Sequence, residues 1–577
     1  MSGAGSVRGV SLPFACAISI LAGLPSAKAL TQDAPPVTVR ASGRLPSPDQ
    51  RALLFRSGDL RIEFLPDQRA IKARAELRMA ASVSLRRVEL DLDPDLIVDS
   101  IAIDGAALAE DSWSHRDGKL TANIGAPLAA TKSFLVTIAY HGQPHVAVRA
   151  PWDDGMVWSK VADGRPWAAT TAQSSGCDLY WPCIDYPTFE PDYLDIHLTV
   201  PNGLKALSNG RLESVDTAAD GRTTWNWHAK TPTLYTVAFN IGPYEEINEI
   251  YKSRYGNKFP MTYWYIPGER SFAEHLFSEF APALDFYEKV IGPYPFADQK
   301  MAVVEVPYRG MEHQTITAYG GGYAKSPDGF DKLFHHEFGH EWFANQLTAA
   351  DWDDFWLHEG FDAYMQPLYG RWREGNARYD AMMLDYRRRI RNVHPLVAGA
   401  SRTSGEVDDA RTGPGTDMYL KGAWVLHTLR LLIGDRAFFA ATRELVYGRS
   451  DPRPGNFTPV FRTTSDFVTI VNRVTRRDYR WFFDVYLYQA ALPRLETRRQ
   501  GRDLLLRWKT PGDRPFPLPV ELGVDGRIIR VAMIGNRGRV GVGADSHVVI
   551  DPGARILMQS DGVDAYQAWA DQQSAKP

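Results

Sequence analysis

Two histidines four residues apart enclose a glutamate in the run His336-Glu337-Phe338-Gly339-His340. On a helix this spacing is just over one turn, so both imidazoles project from one face and can reach a single divalent cation. Glu337 lies about 100° further round the helix, where it can approach a water on that cation rather than the cation itself. After a gap of 18 residues beyond His340 comes Glu359, near the start of a second helical run, Trp356-Leu357-His358-Glu359-Gly360-Phe361. A turn through Ala349 to Asp354 and an antiparallel return would bring Glu359 beside the histidines as a third ligand. Three protein ligands leave one coordination position open, the arrangement of a catalytic zinc centre. The chemistry is then hydrolytic: one Zn²⁺ activates water and polarises a carbonyl, and Glu337 takes the water's proton and passes it to the leaving amine. A tyrosine hydroxyl from a neighbouring helix would serve as the second donor that the developing oxyanion requires.

The elements that must position these groups can be read from changes of period. From Asp331 to Gln346 the side chains Leu333, Phe334, Phe338, Trp342 and Phe343 give a helix its buried faces. Upstream, residues 51–244 alternate apolar and polar positions in short runs such as Leu60-Arg61-Ile62-Glu63-Phe64 and Phe134-Leu135-Val136-Thr137-Ile138, which predicts an all-β domain. Helical spacing begins with Phe272, Leu276, Phe277, Phe280, Leu284 and Tyr287, so residues 245–490 form a mainly helical catalytic domain. Alternation returns in Leu504-Leu505-Leu506-Arg507-Trp508 and around the Asp525-Gly526 turn, predicting a small β-sandwich over residues 491–562. Proline-rich residues 30–50 read as an exposed lead-in linker, and residues 563–577 as a polar tail. The class is multidomain α+β, in keeping with a chain of 577 residues.

Residues 1–29 have the pattern of an export signal: Arg8 is the one charge of the leading segment, Val10 to Leu24 is mostly apolar, and Ala27-Lys28-Ala29 offers the cleavage site. Its apolar run is shorter than the roughly 20 residues a membrane helix needs, so no membrane anchor is expected after signal removal. The expected location in a bacterium is periplasmic or extracellular. Cys177 and Cys183 remain in the mature chain, and their spacing suits either a disulfide or two buried thiols. The formal charge of −4 becomes more negative by two when Arg8 and Lys28 leave with the signal, so nothing in it invites nucleic acid. Arg387, Arg388, Arg389 and Arg391 form a local basic run, read as the solvent face of a helix.

The His336-Glu337-x-x-His340 and Glu359 set, with Gly310-Met311-Glu312 and Tyr419-Leu420-Lys421-Gly422, resembles the zinc aminopeptidases of the gluzincin clan, the aminopeptidase N and leukotriene-epoxide hydrolase type. That resemblance implies an N-terminal β-saddle domain, a thermolysin-like catalytic domain and a short C-terminal β-sandwich. It implies peptide substrates with a free amino end, Glu312 and Gln173 as anchors for the substrate amine, and the Gly310-Met311 segment as a strand along the substrate. Tyr419 takes the role of oxyanion donor. The segment Pro182-Cys183-x-Asp185-x-Pro187 matches the β-domain stretch that accompanies Gln173. Two residues depart from the pattern, His313 where asparagine is usual and Arg309 where glycine is usual, and both bear on the first-residue pocket. An endopeptidase, an epoxide hydrolase or a non-catalytic zinc-holding peptide binder are the alternatives. A carboxylate at Glu312 argues against the first, and Glu337 with Tyr419 against the last.

Overall fold

The computed structural model describes residues 40–323, 326–455 and 457–574, so the export signal and most of the lead-in lie outside the described residues. The long alternating runs pair as their period requires. Strand Leu53–Leu65 lies antiparallel to Ala70–Ala81 and parallel to Tyr193–Val200, at the centre of an eight-stranded sheet. Leu60, Ile62, Leu77, Ile138, Ile196 and Leu198 project from it into the core. A four-stranded sheet, Lys205–Leu207, Asn240–Gly242, Pro166–Thr171 and Gly155–Lys160, covers the side that faces the catalytic region and delivers the stretch from Thr171 to Gln173 to the site. Cys177 and Cys183 are joined in a disulfide, with Cα atoms 6.3 Å apart.

The next unit opens with a five-stranded sheet in the order Glu245–Lys252, Lys258–Tyr265, Met301–Glu305, Thr317–Tyr319, Gly310–Met311. Gly310–Met311 is its edge strand, paired on one side only through Gly310 with Tyr319 and Met311 with Ala318. Against it packs helix α1 (Lys332–Gly339), followed by α2 (Trp356–Glu374), α3 (Asn376–Arg389) and α4 (Asp417–Ile433). Every residue of α2 from Trp356 to Gly370 is buried, so this helix forms the axis of the helical region. Beyond it, two three-stranded sheets enclose Trp508, Phe516, Val520 and Leu522, the sandwich expected from the returning alternation.

Three expectations are corrected. Residues 40–50 are not an exposed lead-in: Arg40 pairs with Asp93 at 2.6 Å, the Ser42 hydroxyl donates to Asp185 at 3.0 Å, and Gln50 is buried with its amide on Asp91. The stretch read as a polar tail from residue 563 belongs instead to helix α5, Asp561–Ser574, which starts two residues earlier. The arginine run is not a free solvent face. Arg387 is buried and donates to the Met558 carbonyl at 2.6 Å, Arg391 pairs with Asp571 at 2.8 Å, and Arg388 lies over the Tyr566 ring. Helix α5 uses the run as its dock, through polar contacts that leave no hydrophobic periodicity to read.

Candidate metal centre

Helix α1 begins where Asp331 caps it, its carboxylate accepting from the Phe334 amide at 2.9 Å and from the Tyr319 hydroxyl at 2.6 Å. One face is anchored by Phe334 stacked on Phe280 at 4.6 Å and on Phe338 at 5.5 Å. The opposite face presents His336 and His340, ring centroids 4.8 Å apart. His340 ends the regular helix, and the backbone widens over Glu341–Gln346 with Phe343 out of helical conformation. The Phe343 carbonyl thereby accepts from His340 Nδ1 at 3.1 Å, which leaves Nε2 as a lone-pair donor pointing across the site.

Helix α2 returns Glu359 to this face. Its Oε2 lies 3.5 Å from Nε2 of both His336 and His340, and it has no hydrogen-bond partner despite being buried. Among the described residues these three form a group whose ligand atoms all lie within 4.8 Å of one another. Two ligand atoms about 2.1 Å from one tetrahedral ion are separated by about 3.4 Å. The spacing, the donor types and the orphaned carboxylate oxygen therefore fit a zinc ion. Burial works to raise the Glu359 carboxyl, and the His340 ring outweighs it, holding the group below the usual carboxylate range. Burial lowers His336 in turn, and the adjacent Asp362 carboxylate overcomes it, so that this ring retains a proton to about 9 until a cation displaces it.

Three glycines set the distances. A β-carbon on Gly310 would stand 3.0 Å from Glu337 Oε1 and 3.1 Å from the Ala318 carbonyl, so the edge strand lies directly on the Glu337 carboxylate. Burial pushes that carboxyl up to about 8 against the pull of His336, favouring the form that holds a proton. Gly360 on α2 and Gly422 on α4 meet backbone to backbone: a β-carbon on Gly422 would be 2.9 Å from the Gly360 Cα. This crossing draws Tyr419 to the site, its ring 5.8 Å from that of His336. Burial, followed by Glu359, raises the Tyr419 hydroxyl well above its ordinary value, so it is held as a neutral donor.

Glu312 follows the edge strand and is 3% exposed. Its Oε1 accepts from the Tyr235 hydroxyl at 3.1 Å, and its own carbonyl accepts from Asn345 at 3.1 Å. Gln173 reaches in from the β-domain and donates to Glu359 Oε1 at 3.3 Å, so it touches a candidate metal ligand. At His313, which stands where asparagine was expected, both ring nitrogens are buried without a hydrogen-bond partner among the described residues, and burial lowers the ring to about 3. The structure thus gathers His336, Glu337, His340, Glu359, Tyr419, Glu312, Gln173, Gly310 and Met311 at one locality. Sequence reading missed Tyr235 and Asp362. The first carries no local signal, whereas Asp362 lies three residues after Glu359 and so had to share its helix face.

A helix-borne histidine pair closed by a carboxylate from the following helix, with a glutamate just past an adjoining sheet edge, resembles the gluzincin arrangement. Residues 279–486 match the model of the peptidase family M1 domain. Human endoplasmic reticulum aminopeptidase 1 is 27% identical over 305 residues, 48% of this chain and 31% of the relative. Aminopeptidase M1-D of Oryza sativa subsp. japonica is 24% identical over 495 residues, 81% of this chain and 53% of the relative. The chain therefore spans about half or less of these relatives' length. An M1 zinc metallopeptidase from Deinococcus radiodurans, a glutamate-to-alanine mutant solved with a Tyr-Ser-Ala substrate, superposes with a TM-score of 0.62 at 22% identity, covering 78% of this chain and 98% of that one. At this identity the likeness establishes the fold.

Proposed function

We propose that this chain is a zinc-dependent aminopeptidase that hydrolyses the first peptide bond of peptides with a free amino end. The observation that carries the reading is Glu312, a buried carboxylate held by Tyr235 on the edge strand beside the histidine pair and Glu359. A buried carboxylate held beside the hydrolytic centre can select a substrate ammonium, whose charge favours the ionised form, and exclude a chain that continues past it. A bound Zn²⁺, held by His336, His340 and Glu359, supplies Lewis acidity toward the carbonyl and a water that ionises near neutral pH.

The protein's own groups do the rest. Glu337, pressed by Gly310 and made a stronger base by burial, accepts a proton from the attacking water and returns it to the leaving amine. Tyr419 donates its hydroxyl hydrogen to the oxygen that gains charge. Glu312 receives the substrate ammonium, with Gln173 beside it, and the free edge of Gly310–Met311 offers backbone groups to the peptide. The fold of the Deinococcus enzyme, solved with a tripeptide, supports peptides as the substrate class.

Export belongs to the same proposal: the protein loses residues 1–29 and works in the periplasm or outside the cell. The Cys177–Cys183 disulfide supports an oxidising compartment. Amino-terminal sequencing of the mature protein would begin at Leu30, and a start at Met1 would refute the processing. For the activity, paired peptides with free and acetylated amino ends are compared on the mature protein. Cleavage of the free form alone is expected; equal rates would convert the assignment to an endopeptidase.

A further inference from the structure

We propose that Asp362 is a positioning residue that fixes the His336 imidazole for metal ligation. The inference rests on the zinc reading above and extends it to a residue outside the three ligands.

Asp362 Oδ2 lies 2.5 Å from His336 Nδ1, the nitrogen on the far side of the ring from Glu359. The contact is an ion pair at which Oδ2 lacks a well-aligned hydrogen bond, and attraction to this carboxylate favours the ring proton on Nδ1, leaving the Nε2 lone pair toward the ion. His336 needs such a constraint more than His340 does. His340 is 1% exposed and its ring is tied to the Phe343 carbonyl, whereas His336 retains 20% side-chain exposure and has no backbone acceptor among the described residues.

The surroundings of Asp362 are built around this contact. Its side chain is fully buried, and its Oδ1 accepts from the Tyr287 hydroxyl at 3.2 Å. Tyr287 is itself immobilised by stacking on Trp342 at 4.5 Å and on His335 at 5.2 Å. Room for the carboxylate comes from Gly339 on α1, where a β-carbon would stand 1.7 Å from Asp362 Oδ1 and 2.2 Å from the Tyr287 oxygen. The glycine inside the His-Glu-Phe-Gly-His run therefore serves the contact. Glu359 and Asp362, three apart on α2, divide the work: one carboxylate faces the ion and the other faces the back of a ligand ring. A buried carboxylate on the second nitrogen also makes the imidazole a stronger base toward the metal, and loss of such a partner commonly weakens metal affinity by about 10–100-fold.

The test measures zinc affinity of the metal-stripped mature protein by competition with a chromogenic chelator, independently of turnover. Asp362→Asn keeps the volume and removes the charge; zinc binding about 10–100-fold weaker is expected, with one equivalent still bound at saturation. Tyr287→Phe removes only the hydroxyl that orients Asp362, and a weakening of a few fold is expected, which keeps the proposal testable if the first variant does not fold. Wild-type affinity in a folded Asp362→Asn protein, or unchanged affinity in Tyr287→Phe where the first variant is unfolded, would overturn it. Failure of the wild-type protein to bind zinc at all would instead strike the zinc reading.

Discussion

Substituting Gly310 by alanine tests whether the edge strand and Glu337, the proposed general base, are in direct register. The new β-carbon would meet Glu337 Oε1 at 3.0 Å, Glu337 Cγ at 3.1 Å and the Ala318 carbonyl at 3.1 Å. Comfortable non-bonded separation is about 3.5 Å, so about 0.5 Å must be recovered. Ala318 belongs to the paired neighbouring strand and cannot retreat without breaking the ladder, which leaves the Glu337 side chain to move. A misplacement of 1 Å near reacting groups costs about 100-fold in rate, so 0.5 Å corresponds to about tenfold. The expected result is a kcat about tenfold lower on an aminoacyl fluorogenic substrate, with KM nearly unchanged and zinc content still one per chain. An unchanged kcat would refute the contact, and a loss of rate that tracks loss of zinc would show that the strand supports the ligands instead of the base.

Glu337→Gln removes the proton acceptor while keeping its shape, and kcat should fall by about 10²–10⁴-fold with zinc retained, measured by steady-state kinetics and metal analysis. Unchanged turnover would show that the activity comes from elsewhere. Tyr419→Phe should lower kcat by about 10²–10³-fold and leave KM in place, because the lost donor acts on charge that develops only during reaction. Glu190, which is not among the proposed ligands, offers a pH prediction. Burial pushes its carboxyl up to about 8, opposed by the hydroxyls of Thr233 and Thr348. The folded chain thus binds that proton more tightly than the unfolded chain, and its contribution to stability, complete below the ordinary carboxylate range, declines as pH rises toward 8. Glu190→Gln should flatten the fall of Tm between about pH 5 and 8; an identical slope in both proteins would remove Glu190 as its source.

The parts of the site that could be read in the chain are those set by helix geometry. His336 and His340 are one turn apart, and Glu359 begins the next helix, so their convergence follows from spacing alone. The α+β class followed from the shift between alternating and helical periods. What escaped was set by close packing and by polar contacts between distant segments. Gly339 looks like a weak point in a helix until Asp362 and Tyr287 are seen filling the space of its missing side chain. Tyr235 sits 77 residues before Glu312, and nothing near it in the sequence signals a catalytic neighbour. The anchoring of residues 40–50 and of helix α5 rests on ion pairs and carbonyl acceptors, which leave no periodic trace.

The meeting of Gly360 and Gly422 has a consequence for how this cleft can change. Glu359 and Tyr419, the proposed ligand and the proposed oxyanion donor, are carried on the two segments joined there. Because the joint is main chain against main chain, it has no side chain to trim or enlarge, and the span between those two groups is close to a constant of the scaffold. Variation in substrate preference must then come from loops and from the β-domain wall, where Gln173 and Tyr235 enter.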